Sequence, residues 1–341
     1  MAKILVTGAA GRLGANLVKA LAEKGYDVRA FVLPDDPKVS KLKGLDVELF
    51  RGDLRDAEAV DRAMEGVQRV AHLGYIMGRP KGMTRATEFE INIPGTFHML
   101  EAASKRVDDL ECFLFASTNA TYDAFQLKYG PADERHPQEP TSFYGTAKLV
   151  GEKMVAGYGR EFGLRWSVVR FGTVPGPDEI LRRGNACYNH GSIRGPGTRP
   201  GSSLYVPGVA EPWKSVEEAI DQGYPLVIPR NLEGESWYQD IVDVRDTVQG
   251  IILALTKGQA LGEAFNVTAP WAATWGEAIP YLAEKTGQTY KELSLPNMWA
   301  FACDNTKAKR LLGYRPEYNV FKQIDLALAY QAGEDVGLFP A

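Results

Sequence analysis

Residues Lys3-Ile-Leu-Val-Thr-Gly-Ala-Ala-Gly-Arg-Leu-Gly14 carry a short apolar run, Ile4 to Thr7, into Gly8, Gly11 and Gly14. Apolar residues then recur at Leu13, Leu17, Val18 and Leu21, the spacing of a helix with one buried face, and Gly25 stops it. The pattern predicts a buried strand, a tight glycine turn and a helix start. One glycine allows the sharp turn, one lets the backbone approach a pyrophosphate, and one lets the helix pack closely on the strand. The helix N-terminus offers free N–H groups and a positive dipole end to phosphates. Three glycines also occur in ordinary turns. Their place between strand and helix favours dinucleotide binding.

Working outward, strand patterns follow at Asp27–Leu33, Val47–Phe50, Arg69–Leu73, Cys112–Ser117 and Arg165–Phe171. Helical periodicity lies between them at 57–64, at about 86–105 with Pro94 forcing a kink or a late start, and at 142–162. This alternation argues an α/β fold with a doubly wound parallel sheet, whose ligands sit beyond the carboxyl ends of the strands. Gly8, Asp53, Gly74 and Thr118 all fall at such ends. Segment 172–212 holds Gly/Pro clusters and the arginines Arg182, Arg183, Arg194 and Arg199, and reads as loops of a substrate-side subdomain. Regular patterns resume at 216–221, 226–228, 246–255, 264–267, 275–286 and 306–312.

Composition narrows the classes. The 341 residues suffice for one large domain or a core domain with a smaller one. A net charge of −4 without a basic run argues against nucleic acid or an anionic membrane as partner. Cys112, Cys187 and Cys303 are scattered, with neither metal spacing nor a disulfide framework, which points to a reducing cytoplasm. His72, His98, His136 and His190 share no ligand spacing, so no metal site is expected. No apolar run reaches the roughly 20 residues of a membrane helix.

The chemistry sits in Tyr144-Gly-Thr-Ala-Lys148, which places a phenol and an ammonium one helical turn apart on one face. A neighbouring ammonium favours phenolate, which predicts a Tyr144 pKa well below the value of about 10 for free tyrosine. Tyr144 then becomes a usable proton acceptor. Thr118, at a strand end, would hold the substrate oxygen beside it. Alone, such a pair is usually a solvated helix face; the glycine turn and the strand-end hydroxyl decide for chemistry.

With these residues in view, the chain resembles the extended short-chain dehydrogenase/reductase family, also called the NAD-dependent epimerase/dehydratase family. The resemblance runs through T-G-A-A-G-R-L-G at 7–14, Asp53-Leu54, His72-Leu73-Gly74, Asn92-Ile-Pro-Gly-Thr96, F-A-S-T-N-A-T-Y at 115–122 and Y-G-T-A-K at 144–148. It continues in R-F-G-T-V-P-G-P at 170–177, D-I-V-D-V-R-D at 240–246, F-N-V at 265–267 and L-L-G-Y-R-P at 311–316. It implies a Rossmann-type domain over 1–171, with a returning segment at about 236–267, and a smaller substrate-binding subdomain from 172–235 and 268–341. It also implies that Tyr144 is the acid/base, that Lys148 binds the nicotinamide ribose and tunes Tyr144, and that Thr118 orients the substrate. Gly8, Gly11, Arg12, Leu13 and Gly14 would line the pyrophosphate and Asp53 and Leu54 the adenine. Leu73, Gly74, Asn92 and Phe171 complete the cofactor set, with Phe171 at the nicotinamide. Asn119, Thr173 and Gln239 join Thr118 at the substrate. A homodimer through the Tyr144 helix and the 86–105 stretch is a further implication.

Several positions depart from the family pattern. Val32 and Leu33 stand where NAD users often carry an acid and NADP users often have an arginine nearby; Asp35 and Asp36 would repel a 2′-phosphate, while Arg12 and Lys38 would attract one. This favours NAD and leaves NADP open. Asn119-Ala120 replaces the Asp-Glu pair of the family's dehydratases, and Gln239 replaces the arginine that meets phosphate in nucleotide-sugar members. Loop arginines of 182–199 could substitute for it. Trp237 and Tyr238, beside Gln239, are expected to line the substrate. T-G-A-A-G, H-L-G and F-A-S-T-N-A-T also resemble uronate dehydrogenases. The first reading is hydride transfer at a hydroxyl-bearing carbon of a sugar or nucleotide sugar, of the 4-epimerase type. The alternative is a sugar or sugar-acid dehydrogenase with net cofactor turnover, and a third is a cofactor-sensing regulator without chemistry.

Overall fold

The structure, a computed structural model, describes residues 2–77, 82–123, 127–182, 185, 189, 191, 193–194, 197–198, 205–209, 211–296 and 299–341. The first half runs β1 (Lys3–Thr7), α1 (Arg12–Glu23), β2 (Asp27–Val32), β3 (Glu48–Arg51), α2 (Ala57–Ala63), β4 (Arg69–His72), α3 (Arg85–Asn92), α4 (Pro94–Ser104), β5 (Cys112–Thr118), α5 (Phe143–Phe162) and β6 (Trp166–Phe171). The second half runs α6 (Lys214–Asp221), β7 (Leu226–Arg230), β8 (Tyr238–Gln239), α7 (Val244–Thr256), β9 (Glu263–Val267), β10 (Ala273–Thr274), α8 (Trp275–Thr286), β11 (Tyr290–Ser294), α9 (Thr306–Leu312) and α10 (Val320–Gln331).

Seven strands form one sheet in the order β3-β2-β1-β4-β5-β6-β9, and every pairing in it is parallel. Because side chains alternate across a strand, each strand feeds two cores. Ile4 and Val6 of β1, with Leu114 of β5, pack on the face that α1 and α7 cover; Leu5, Phe113 and Phe115 pack on the other, against α2, α4 and α5. Each fully buried Leu, Ile or Phe here contributes about 1.5–3 kcal/mol of transfer free energy. The direction of winding reverses between β1 and β4, which opens a crevice at their carboxyl ends.

The predicted 86–105 helix is two helices, α3 and α4. Ile93 joins them and Pro94 stands at the first position of α4, where its missing N–H costs nothing. A separate core gathers Ile180, Trp213, Leu226, Trp237, Ile279 and Ile324, with β7 and β11 paired in parallel inside it. The two cores do not follow the expected subdomain boundary: Val174, Ala269, Ala308 and Leu312 of α9, and Tyr314 pack on the first core, whereas Trp237 and Ile241 pack on the second. Segment 172–212 contains a short 3-10 turn at Ile180–Arg182.

Candidate active site

The sequence dictates the glycine turn residue by residue. Gly8 has φ +65°, the left-handed region that favours glycine, and a Cβ there would meet Gly74 Cα at 2.9 Å. A Cβ at Gly14 would strike the Gly8 carbonyl oxygen at 2.1 Å, so helix and turn touch through backbone alone. Gly11 begins α1 with no side-chain cap, and its first turn holds no acid. The first N–H groups of α1 therefore keep their donors for an anion at the crevice. This cradle is what the diphosphate of a dinucleotide requires.

A chain of hydrogen bonds fixes the strand ends around it. Gly74 N–H donates to Thr7 Oγ1 at 2.9 Å, and Thr7 Oγ1 lies 2.8 Å from His72 Nδ1. His72 Nε2 lies 3.1 Å from Thr96 Oγ1, whose hydroxyl donates to the Asn92 carbonyl at 2.7 Å. Each hydroxyl donates once, so His72 carries its proton on Nε2. Burial pushes its pKa down to about 3, which keeps the ring neutral. His72 is a structural link.

The crevice is one cleft of about 1330 Å³. Gly8, Gly11, Arg12, Leu13, Gly14, Asp53, Leu54, Leu73, Gly74, Thr118, Asn119, Tyr144, Lys148, Phe171, Thr173 and Gln239 all line it. Asn92 does not. Its amide is spent on both backbone groups of Ile76, accepting from N at 2.8 Å and donating to O at 3.0 Å, so it pins the loop after β4. Arg12 gives one arm to the Val174 carbonyl at 2.7 Å and the other to Glu179 at 2.6 Å. It is thereby neutralised, which removes one of the two cations expected to attract a 2′-phosphate. Asp53 is gripped by Arg55. Asp35 and Asp36 line the cleft beyond β2.

Small residues set α5 on the sheet. Ser142 caps its start by accepting from Gly145 N–H. A Cβ at Gly145 would meet the Ala120 carbonyl oxygen at 2.1 Å, and one at Gly151 would enter the Phe115 ring. This close approach brings Tyr144 beside Thr118, whose hydroxyl favours the phenolate and donates to Asn119 Oδ1 at 3.3 Å. Two helical turns on, Glu152 and Arg170 form a buried pair with bonds of 2.9 and 2.7 Å.

One electrostatic expectation is corrected. Lys148 Nζ lies 6.0 Å from the Tyr144 ring centroid and donates to the Ala116 carbonyl at 2.6 Å. Its own pKa is lowered by burial, and desolvation pushes the Tyr144 phenol up to about 12, against the favourable Thr118 bond. In the protein alone Tyr144 is a proton donor at neutral pH.

The cleft also contains residues that the sequence did not single out: Tyr75, Ile76, Met77, Asp240, Trp299 and Phe301. Tyr75 follows H-L-G directly and was within reach of the motif. Trp299 and Phe301 arrive through backbone bonds on either side of Tyr238, Tyr238 N–H to the Trp299 carbonyl and Phe301 N–H to the Tyr238 carbonyl, a pairing no spacing announces. Trp237 and Tyr238 were the expected wall. Trp237 is fully buried in the second core and Tyr238 does not line the cleft; their neighbour Gln239 does. Arg182 is exposed on its turn and Arg194 packs over Trp213, both away from the cleft. Arg183, Arg199, Cys187 and His190 lie outside the described residues. Among the described residues no three His, Cys, Asp or Glu side chains converge as a metal site would need, and no helix is long and apolar enough to cross a membrane.

A glycine turn on the first strand of such a sheet, with Thr118, Tyr144 and Lys148 on the same cleft, marks the NAD-dependent enzymes that exchange hydride with a carbon bearing oxygen. Residues 4–191 match the NAD dependent epimerase/dehydratase family, and the chain belongs to that family. The sterol demethylase protein B of Methylococcus capsulatus is 30% identical over 300 residues, covering 86% of this chain and 77% of that protein. A UDP-glucose 4-epimerase of Lacticaseibacillus casei is 27% identical over 338 residues, covering 94% of each. Among solved structures, a short-chain dehydrogenase/reductase superfamily protein of Agrobacterium tumefaciens with bound NAD superposes with a TM-score of 0.81 at 29% identity, over 97% of this chain and 98% of that one. The protein is an NAD-dependent enzyme. When bound, NAD would supply the hydride acceptor; the glycine turn, Lys148 and Phe171 line the cleft that would hold it.

Proposed function

We propose that this enzyme transfers hydride between NAD and a hydroxyl-bearing carbon of a sugar-like substrate. The observation that carries the proposal is the convergence of Thr118, Tyr144 and Lys148 on the cleft that also holds the glycine turn. Thr118 holds the substrate hydroxyl, Tyr144 exchanges its proton, and Lys148 orients the ribose while adding positive charge near the phenol. Asn119-Ala120 offers no acid for removing water from a neighbouring carbon. Epimerisation of a nucleotide sugar is the form of the reaction that the full-length 4-epimerase relative supports. Net oxidation is favoured by one specific residue: Gln239, a neutral amide, takes the place where a phosphate-binding arginine is expected.

Absorbance of reduced NAD separates the two. With a panel of sugars, sugar acids and nucleotide sugars, an epimerase converts its substrate with no net change. A dehydrogenase produces reduced NAD mole for mole with product. Conversion of none of these classes by protein that binds NAD overturns the sugar reading.

The assembly we propose is a homodimer across α4 and α5. Phe97 and Val150 are exposed on their outer faces, beside a groove lined by Thr146, Leu149, Val150, Lys153 and Met154. Light scattering at micromolar concentration is expected to give twice the chain mass; a monomer mass refutes it.

A further inference from the structure

Tyr75 belongs to no motif used above, yet it stands at the centre of the site. Asn92 grips the next residue, Ile76, by both backbone groups and so fixes the loop that carries it. The ring of Tyr75 meets Tyr144 edge to face at 6.0 Å between centroids. The Lys148 ammonium lies 3.5 Å from the Tyr75 ring centroid, against 4.8 Å for Phe115 and 6.0 Å for Tyr144. The Tyr75 hydroxyl is buried without a partner.

A buried ammonium needs compensation. Lys148 is 3% exposed and one of its protons goes to the Ala116 carbonyl. The charged and titratable groups around it offer little more. On α5, Glu152 attracts it, but the carboxylate is held by Arg170 of β6 and by the Ser117 hydroxyl and Gln138 amide. On β4, His72 is neutral with both nitrogens engaged. Tyr144 and Tyr75 are phenols whose ionisation burial opposes. What remains are the negative faces of two rings, Phe115 at 4.8 Å and Tyr75 much closer at 3.5 Å, and such a face attracts a cation most strongly where water is excluded.

We propose that the face of the Tyr75 ring is the seat of the Lys148 ammonium, which makes Tyr75 a positioning residue for the hydride-transfer site. Through it the charge of Lys148 is kept beside Tyr144 before the cofactor ribose arrives. The proposal rests on the roles given to Lys148 and Tyr144 above.

The test is the titration of Lys148 itself, followed by NMR of protein labelled with ¹³C at the lysine Cε positions, the signal assigned with Lys148→Arg. Attraction to the ring favours the charged form, so its removal lowers the pKa. In Tyr75→Leu, Lys148 is expected to titrate about one pH unit or more below the parent. The alkaline limb of kcat/KM should move in the same direction. Tyr75→Phe keeps the ring face and should leave both within a few tenths of a unit, roughly. Tyr75→Met, which fills space without a ring, carries the leucine expectation should the leucine variant not fold. A Lys148 titration unchanged in the leucine or methionine variant, or shifted equally by phenylalanine, overturns the proposal. Because the NMR readout needs no turnover, its failure leaves the hydride reading standing. Failure of that reading would appear instead as Tyr144→Phe retaining activity.

Discussion

Tyr144→Phe is expected to lower turnover at least about a hundredfold while NAD affinity stays close to that of the parent. One well-placed general acid or base is worth about 10²–10⁴ in rate, or roughly 3–5 kcal/mol. Phenylalanine keeps the ring that packs edge to face on Tyr75 and removes only the hydroxyl that meets Thr118. Folding should therefore be unaffected. Lys148→Ala should behave differently, weakening NAD binding along with rate, because one ammonium serves both ribose and phenol. Steady-state kinetics and calorimetric NAD titrations of the two variants give the comparison. Near-parental turnover of Tyr144→Phe on an identified substrate would mean that another group moves the proton.

The second large effect is on stability. Arg170→Met leaves Glu152 buried without its guanidinium, and removing one partner of such a pair costs about 3–5 kcal/mol. Arg170 also donates to the Tyr122 hydroxyl at 2.8 Å and the Glu134 carbonyl at 3.2 Å, so more than one acceptor is stranded. The Arg170→Met, Glu152→Leu double variant removes both charges and is expected to recover most of the loss. Chemical denaturation of the three proteins measures this. A single variant as stable as the parent would show that Ser117 and Gln138 alone satisfy Glu152.

Legibility in the sequence followed locality. The glycine turn, the Tyr144/Lys148 pair and the strand alternation are written in short spacings, and the chain obeys them because backbone sterics and helical pitch act over a few residues. Pro94 announced a break and broke the helix at Ile93. Helix α10 was missed although Asn319 caps it and Val320, Ile324 and Ala327 recur at helical spacing. Strand β11 had less to show, since Leu293 is its one buried residue. The site's non-local half was not legible. Trp299 and Phe301 reach the cleft only through backbone pairing with Tyr238, and the fate of Arg12 depends on Glu179, far along the chain. The Tyr144 pKa was misjudged for a related reason. Helical spacing places Lys148 on the same face but says nothing of the burial that opposes the phenolate, nor of the aromatic ring and the carbonyl that hold the ammonium.

The grip of Arg12 on Val174 and Glu179 has a consequence for redesign. The residue belongs to the turn that cradles the cofactor, whereas its partners lie in the stretch after β6 that leads toward the second core. An engineer who exchanges 172–212 to admit a new substrate also exchanges the counter-ion of Arg12. Without Glu179, the Arg12 guanidinium would stand in the cofactor cleft without its counter-ion. A graft of 172–212 that omits Glu179 therefore alters the cofactor cleft as well as the segment exchanged.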